Sequence, residues 1–402
     1  MIRVHSETIN MSTKAPSTTG ATTGFLSFNS RPPRLFITAT SAHAPESTLL
    51  AWQAEGFETT YLPFNVSQQP TYISTLKNLH KDLNLGETYA ILAYGDAATV
   101  VLKTAQKPLP RCSAIIAFYP SVLPSAGHKF PSQLRVQVHV SGQQRSPRPE
   151  MCEWGLYRYE KSKVGFAEAD SKTYEHVEAE LAFSRALTCT RKAFKTDVDI
   201  EGVAQAAWSA KYEEEVPERG SMGVVQGMSQ NGAHVTILPT LEGGVGRKKL
   251  EEFYREFFIP SLVEDFEIRL VSRTVGVDRV VDEMVVSFTH SDDVDWILPG
   301  VPPTNKRVEV AVVSIVGVRG GKLVSEHMYW DQASVLVQVG LLDPKIVPKN
   351  LKSQGLKQLP VVGAEGARQV LDVKQERYNG LLKEHGLLDG MAALNVNGVN
   401  GS

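Results

Sequence analysis

The pattern of apolar and polar residues changes near residue 198. Before that point, short apolar runs alternate with segments of helical period. The runs predict strands at 35–40, 59–64, 89–94, 114–119 and 136–140, and the segments between and after them predict helices at 45–56, 70–85, 96–106 and 174–194. Strands that alternate with helices imply right-handed crossovers and a mostly parallel sheet covered on both faces. We therefore predict a doubly wound α/β domain over residues 34–197.

Beyond residue 198 the pattern predicts long antiparallel strands. Residues 279–290 alternate in polarity, and their more apolar face consists of Val280, Asp282, Met284, Val286, Phe288 and His290. Two further strand candidates, residues 307–318 and 322–330, are joined by Arg319-Gly320-Gly321. These glycines supply the positive φ angles of a tight hairpin turn. We therefore predict a curved antiparallel sheet with covering helices, an α+β cone, over residues 198–345.

An aromatic helix is predicted to cover this sheet. Five apolar residues share one helical face, namely Leu250, Phe253, Tyr254, Phe257 and Phe258. Pro260 ends the helix, because proline cannot continue it. Packed against a bent sheet, such a helix encloses an apolar cavity. We expect Trp296, in the Pro-rich crossover that follows, to lie at the mouth of this cavity or in a dimer contact.

The two ends of the chain lack such patterns. Residues 1–33 are rich in Ser and Thr and predict a disordered tail, with a mitochondrial leader as the alternative. Residues 346–402 predict a linker, a helix from Ala364 to His385 and a second tail.

The net charge and the cysteines limit the binding partners and the cellular compartment that we expect for the protein. A formal charge of −2 over 402 residues gives no electrostatic reason to bind nucleic acid or an acidic membrane. No apolar run reaches the roughly 18 residues that a membrane span needs. Cys112, Cys152 and Cys189 are far apart and form no CxxC pair. They indicate reduced packing residues, so we expect a cytoplasmic protein without a zinc site or disulfide frame.

The first domain has a candidate site at the carboxyl ends of its strands, where ligands bind in such sheets. Residues 89–101 (YAILAYGDAATVV) place a sharp strand-to-helix turn at Tyr94, similar to the nucleophile elbow of α/β-hydrolases. By order and size the domain resembles dienelactone hydrolases, in which a G-x-C-x-G-G motif holds a cysteine nucleophile. The resemblance implies that Gly95, Gln144 and Val164 occupy the three triad positions. Because these residues cannot form an activated nucleophile, we expect a hydrolase-like fold without hydrolase chemistry.

The second domain resembles the SnoaL-like family of the nuclear transport factor 2-like superfamily. Four blocks match in order, namely PTLEGG with the aromatic helix, VSRTVGVDRVVDEMVVSFTH, DWILPGVPPT and EHMYWDQASVLVQVGLLD. The resemblance covers residues 199–345. It implies proton transfer on polyketide- or steroid-like molecules without a metal or other cofactor.

Candidate site residues follow from this resemblance. Asp331 and Gly340 match the family's D-x8-G spacing, which implies that Asp331 is the general acid or base. Desolvation in the cone would raise its pKa toward the working pH, and His327 and Tyr329 share a strand face from which to donate protons. Asp331 fits equally well as the N-cap of the following segment. His290 is either a core histidine or a proton-transfer group. The predicted substrate contacts are Tyr254, Phe257, Phe258, Trp296 and Tyr329.

The function expected from these features is that of a small-molecule isomerase, cyclase or dehydratase of secondary metabolism. Its partner would be a small apolar organic substrate, and the cone domain would form a homodimer. Two alternatives stay open. One is an ester or lactone hydrolase of the dienelactone hydrolase type, and the other is a non-catalytic binding or dimerisation protein.

Overall fold

A computed structural model describes residues 3–5, 31–213, 220–373 and 378–384. The chain divides into two compact units, which are residues 13–198 and residues 1–12 together with 199–402. The division after Val198 lies one residue from the predicted boundary after residue 197. Residues 346–402 fall within the second unit.

Strand β1 (Arg3–His5) precedes the first unit in sequence and pairs in the second sheet. The first unit has a six-stranded sheet made of β2 (Arg34–Ala39), β3 (Glu58–Pro63), β4 (Tyr89–Tyr94), β5 (Cys112–Phe118), β6 (Arg135–Ser141) and β7 (Gly155–Tyr159). The strand order is β3-β2-β4-β5-β6-β7, and every pair is parallel. The predicted parallel sheet is therefore confirmed, while its hydrolase-like character stays a prediction. Strand β7 was not predicted, because its sequence GLYRY has no apolar run.

Helices cover both faces of this sheet. They are α1 (Glu46–Ala54), α2 (Gln69–Asn78), α3 (Gly95–Thr104) and α4 (His176–Phe194), with 3₁₀ turns at Val66–Gln68, Leu79–Asp82 and Pro149–Met151. Leu76 of α2 and Val101 of α3 share a core with Ile91 of β4. Trp52 of α1 packs on Phe183 of α4, with ring centroids 5.0 Å apart. Two helix pairs therefore bury the sheet, as the continuous apolar runs of β4 and β5 require.

The second unit is built on a seven-stranded mixed sheet. Its other strands are β8 (His234–Ile237), β9 (Glu242–Val245), β10 (Glu267–Val275), β11 (Arg279–Thr289), β12 (Arg307–Arg319) and β13 (Lys322–Trp330). The order is β1-β10-β11-β12-β13-β8-β9. The long strands β10 to β13 are antiparallel as predicted, but the whole sheet is mixed, because β1 lies parallel to β10 and β8 lies parallel to β13. Both added strands are too short for their period to be recognised.

Seven helices are described in the second unit. They are α5 (Ile200–Tyr212), α6 (Ser221–Gln226), α7 (Arg247–Phe253), α8 (Gln332–Val339), α9 (Lys349–Lys352), α10 (Glu365–Leu371) and α11 (Gly380–Glu384), and a π-helical turn, Tyr254–Phe258, extends α7. Within the described residues, no helix is both long enough and apolar enough to cross a membrane.

The predicted hairpin and the predicted faces of β11 are confirmed. Arg319 pairs with Lys322, and the two glycines between them have φ angles of 56° and 69°. On β11 the predicted apolar face is the buried one, including its single carboxylate, Asp282. The hairpin β12–β13 forms the centre of the sheet. Side chains alternate between inward and outward over residues 308–316 and 326–330, and a register shift at Gly317 interrupts the alternation near the turn.

The predictions for the two ends need correction. Most of the predicted tail over residues 1–33 lies outside the described residues, but Arg3–His5 form an edge strand that pairs with residues 267–269. The helix predicted from Ala364 to His385 is two helices, because α10 ends where Asp372 adopts an extended conformation. His385 lies outside the described residues. Helix α10 packs on the second sheet, where Arg368 donates to Glu309 at 2.6 Å.

Two glycines before α7 offer a matched stability test. Gly243 and Gly246 both have positive φ angles, 123° and 89°. A Cβ at Gly243 would lie 2.1 Å from the carbonyl oxygen of Val235, whereas a Cβ at Gly246 would meet nothing within 4 Å. We expect Gly246→Ala to lower the free energy of unfolding by about 1–2 kcal/mol through backbone strain alone. Gly243→Ala should lower it by roughly 1–3 kcal/mol more, because the strand must also move.

Urea unfolding of both variants, followed by circular dichroism, measures this difference. Equal losses for the two variants would contradict the close approach of β8 and β9 at Gly243.

Candidate functional site

The predicted catalytic face of β13 points away from the core of the second unit. Tyr329 is 42% exposed, and His327 is only partly buried. Asp331 is exposed, and its carboxylate caps α8 by accepting a hydrogen bond from the Ala333 amide at 3.0 Å. The N-cap interpretation of Asp331 therefore holds, and the expected burial of its carboxylate is wrong.

The register of the central hairpin explains this orientation. Glu326 and Met328 lie directly opposite Val316 and Ser314, which are inward residues of β12. Because side chains alternate along a strand, residues 327 and 329 must face outward. The inward face of β13 is the one on which sequence analysis placed no site.

The aromatic helix also departs from its predicted geometry. Tyr254 and Phe258 are fully buried, but Phe257 is 50% exposed and cannot line an interior site. The cause is the π-helical turn, in which the Ile259 amide donates to the Tyr254 carbonyl at 3.1 Å. This i to i+5 bond widens the turn and rotates Phe257 out of the apolar stripe.

Aromatic rings contact one another across the interior that was predicted to be a hollow cone. The Phe258 ring lies 5.0 Å from Trp296 and 5.5 Å from Tyr254, measured between centroids. Trp296 also contacts Phe266 at 6.1 Å. Trp296 is buried, so its predicted position at an open mouth is wrong. Each such contact stabilises the core by about 0.5–1.5 kcal/mol beyond simple burial.

A buried polar network lies within this aromatic interior, and sequence analysis missed it. The Lys211 ammonium donates to both carboxylate oxygens of Glu326, at 2.6 and 2.7 Å. The Tyr254 hydroxyl donates to the same carboxylate at 3.3 Å, and the Ser314 hydroxyl donates at 3.2 Å. Lys211 is 3% exposed and Glu326 is 2% exposed. We refer to Lys211, Tyr254, Ser314 and Glu326 as the Glu326 network.

Two local patterns direct these charges inward. Glu326 shares its strand face with Met328 and Trp330, which join the core. Lys211 lies on α5 one turn after Ala207 and Trp208, which are also buried. The sequence contained one signal for this site: a charged residue, Lys211 or Glu326, lies within the apolar face of α5 and of β13. Nothing local pairs the two residues, however, because they are 115 positions apart.

Burial controls the protonation of the tyrosines around this network. Removing an ion from water costs several kcal/mol, so Glu326 and Lys211 compensate each other's charge. Burial, together with the nearby Glu326 carboxylate, raises the pKa of Tyr254 well above its ordinary value. The pKa of Tyr212 is raised in the same way, by burial and then by Glu326 and Asp282. Both hydroxyls therefore stay protonated at physiological pH, and Tyr254 is a hydrogen-bond donor.

A second buried ion pair lies close to the first. Asp282 accepts two hydrogen bonds from the Arg273 guanidinium, at 2.7 and 2.9 Å. Arg273 also donates to the Gln205 side chain at 2.8 Å. This bidentate geometry fixes the position of both charges. Glu326, in contrast, is held by a lysine and two hydroxyl groups.

His290 and Trp296 each present an unpartnered polar nitrogen. His290 is fully buried, burial lowers its pKa, and its Nδ1 accepts from the Thr304 amide at 3.3 Å. The neutral ring therefore carries its hydrogen on Nε2. Within the described residues, His290 Nε2 and Trp296 Nε1 have no hydrogen-bond partner. Buried donors of this kind are rare and require an explanation.

The three residues predicted to occupy triad positions lie in the first unit at a turn, in a loop and on the surface. Gly95 has a φ angle of 58° and begins α3. The Gln144 side chain holds the local backbone in place, because it accepts from the Ser141 amide and donates to the Pro120 carbonyl, both at 3.0 Å. Val164 is exposed. These three positions therefore supply no activated nucleophile.

Across residues 31–213, 220–373 and 378–384, no group of three or more His, Cys, Asp or Glu side chains is placed to hold a metal ion.

Breaking the Lys211–Glu326 pair should reveal its energetic role. Lys211→Met and Glu326→Gln each strand one buried charge, so we expect each to lower the free energy of unfolding by ~3–5 kcal/mol. The double variant removes both charges and should lie within about 1 kcal/mol of the wild type. Urea unfolding of the four proteins tests this. If the double variant is as unstable as the single ones, the pair is required for stability itself.

The comparisons with known proteins give a partial likeness of fold. No protein-family model matches the chain, and no curated protein matches it. Among solved structures, a candidate SnoaL-like polyketide cyclase from a Jannaschia species is 16% identical, with a TM-score of 0.30, and the likeness covers 37% of this chain and 99% of that one.

Two other solved structures match to a similar extent. A protein with a ketosteroid isomerase-like fold from Catenulispora acidiphila is 16% identical, with a TM-score of 0.26, over 36% of this chain and 97% of that one. A candidate isomerase from Rhodopseudomonas palustris is 18% identical, with a TM-score of 0.26, over 36% and 98%.

Proposed function

We propose that the second unit is a proton-transfer enzyme, an isomerase, cyclase or dehydratase, in which Glu326 is the general base. The observation that supports this proposal most strongly is the burial of a Lys–Glu pair with two hydroxyl groups among aromatic rings. A buried ion pair contributes little net stability, so its presence in an apolar core is a functional signal. The polyketide- or steroid-like substrate class fits the apolar interior and agrees with the family resemblance of the sequence.

The network contains the groups that such a reaction needs. Glu326 would remove a proton from the carbon next to a carbonyl group, and the electron pair would move onto the carbonyl oxygen. The Lys211 ammonium or the Tyr254 hydroxyl would donate a hydrogen bond to this enolate oxygen. Returning the proton to a different carbon completes an isomerisation. In a cyclisation, the enolate carbon attacks a second carbonyl and the protonated Glu326 gives its proton to the new alkoxide. In a dehydration, the enolate re-forms the carbonyl as the β-hydroxyl group leaves, and the protonated Glu326 gives its proton to that group so that it departs as water.

Substrate access requires movement of the segment that covers Glu326. Tyr254, in the π-helical turn, donates to the carboxylate, and Phe258 packs against the Tyr254 ring. Such turns lack the regular α-helical hydrogen bonds and occur often at functional sites. We propose that residues 247–258 move outward to admit the substrate and then close again, which excludes water during proton transfer.

Exchange of substrate protons with solvent deuterium tests the assignment of Glu326. The probes are a steroid β,γ-unsaturated ketone and a panel of polyketide-like diketones, followed by NMR in D₂O. We expect Glu326→Gln to lower the exchange rate at least about 100-fold, because the base is lost. The Lys211→Met/Glu326→Gln variant separates this effect from unfolding, since it should be folded and equally inactive.

Asp331→Asn is the matched control for this experiment. Asparagine caps a helix as well as aspartate does, so this variant should keep its stability and its activity. If Asp331→Asn loses activity while Glu326→Gln keeps it, the general base is Asp331 and the assignment to Glu326 is wrong. No enzyme-dependent exchange with any probe would contradict a proton-transfer function.

A second candidate function is dimerisation through the outward face of the sheet. Val281, Ile315 and His327 lie side by side on β11, β12 and β13, and Val313 lies opposite Tyr329. We name these five residues the outer face. They are only partly buried or exposed, which is unusual for apolar residues at the centre of a sheet. A second copy of the chain would bury them.

The oligomeric state in solution tests the outer face. We expect the wild type to be a dimer by light scattering, and we expect Val313→Asp to be monomeric because it places a charge at the centre of the contact. Leu85→Asp is the control, since Leu85 is an exposed apolar residue of the first unit. A monomeric wild type would exclude this function.

A further inference from the structure

The first unit contains a cleft at the amino ends of its last two strands. It lies between the start of β6, the start of β7 and the second half of α4, and its volume is about 580 Å³. This volume falls in the range of about 300–1,000 Å³ typical of small-molecule sites. We name it the amino-end cleft. It lies at the edge of the sheet opposite Gly95, which follows the carboxyl end of β4.

The charge of this cleft favours an anion. Four cationic residues line it, namely Lys129, Arg135, Arg185 and Lys192. Among the described residues that line the cleft, Glu153 is the single carboxylate, and it lies 3.8 Å from Lys129. The chain as a whole has a formal charge of −2, so this local positive excess is not a general property of the protein. A cleft lined by one sign of charge concentrates ligands of the opposite sign.

Arg185 is held in a fixed position in the wall of the cleft. Its guanidinium carbon lies 4.4 Å from the centre of the Tyr157 ring and 5.4 Å from that of Tyr159. Stacking on two aromatic rings restricts the side chain before any ligand binds. The planar guanidinium fork matches the geometry of a carboxylate, so a pre-positioned arginine favours this group.

A buried hydrogen-bond relay orients a second polar group toward the cleft. His139 lies 2.8 Å from the Tyr159 hydroxyl through Nδ1 and 3.2 Å from the Gln137 amide oxygen through Nε2. Burial lowers the pKa of His139 to about 3, so the ring is neutral. Because an amide oxygen only accepts, His139 Nε2 carries the hydrogen and Nδ1 accepts from Tyr159. The Gln137 amide NH₂ is then left to donate into the cleft that Gln137 lines.

The remaining wall suits an aromatic body. Phe130, Trp154 and Tyr157 line the cleft, together with Pro131 and Leu134. Trp154 is buried, and its indole nitrogen donates to the Ser125 carbonyl at 3.2 Å, which fixes the ring. Rigid aromatic walls with a few placed polar groups are the usual composition of a small-molecule site.

We propose that the amino-end cleft binds a small aromatic carboxylate, with the carboxylate group on Arg185 and the Gln137 amide and the ring against Phe130 and Trp154. Arg135 and Lys192 add attraction for the anion without contacting it in a fixed geometry. The site is independent of the Glu326 network, because it lies in the other unit of the chain.

Calorimetric titration of the full chain with benzoate tests this site, with benzamide as the neutral isostere and phenyl phosphate as the alternative anion. We expect saturable binding of benzoate and at least about tenfold weaker binding of benzamide, because the charged hydrogen bond to Arg185 is lost. Benzamide binding as tightly as benzoate would overturn the proposal. Tighter binding of phenyl phosphate would overturn the assignment to carboxylates.

Variants locate the site within the cleft. Arg185→Gln should weaken benzoate binding about tenfold or more. Gln137→Glu should also weaken benzoate binding, because the new carboxylate repels the benzoate anion. This variant keeps an oxygen that accepts from His139 and leaves the stacked Arg185 in place, so it separates the loss of binding from the loss of Arg185 stacking. Lys77→Gln removes an exposed cation of α2 outside the cleft and should leave binding unchanged. Unchanged binding in Arg185→Gln and Gln137→Glu, or no binding of benzoate to the wild type, would overturn the proposal.

Discussion

A carboxylate enclosed by aromatic rings must be matched by a cation, and this requirement joins α5 to β13 in the second unit. Glu326 lies on the inward face of the central hairpin, so its charge cannot reach water. Lys211 meets it from the helix that opens the unit, and Tyr254 meets it from the helix that covers the sheet. Three segments distant in sequence therefore converge on one side chain. Their packing angles are constrained by that convergence as well as by the apolar contacts around it.

Elements with local signals could be predicted from the sequence. Continuous apolar runs indicated the parallel sheet, and the pair Gly320 and Gly321 between two β-branched runs indicated the hairpin. Alternation along β11 indicated its buried face correctly, including Asp282. In each case the deciding residues are neighbours in sequence, so the chain carries the information within a single window.

The candidate site depended on information that no single window contains. The spacing from Asp331 to Gly340 marked a helix with its N-cap and its C-terminal glycine, and this signature is shared by a catalytic motif and by ordinary capping. The stripe from Leu250 to Phe258 fitted a period of 3.6, but the π-helical turn changed which residues point inward. The pairing of Lys211 with Glu326 depends on tertiary packing. The short strands β1, β8 and β9 were missed for the same reason, since their partners stabilise them.

The position of β1 makes the second unit discontinuous along the chain. Residues 3–5 pair with β10, and the whole first unit is inserted between these two strands. During synthesis, β1 therefore leaves the ribosome some 260 residues before β10, the strand with which it pairs. The first unit can fold in this interval, whereas β1 has no partner until β10 has been synthesised. Contacts of such long sequence separation slow folding. It follows that a bulky fusion at the amino terminus would disturb the assembly of the carboxyl-terminal unit, although the adjacent unit in sequence would fold normally.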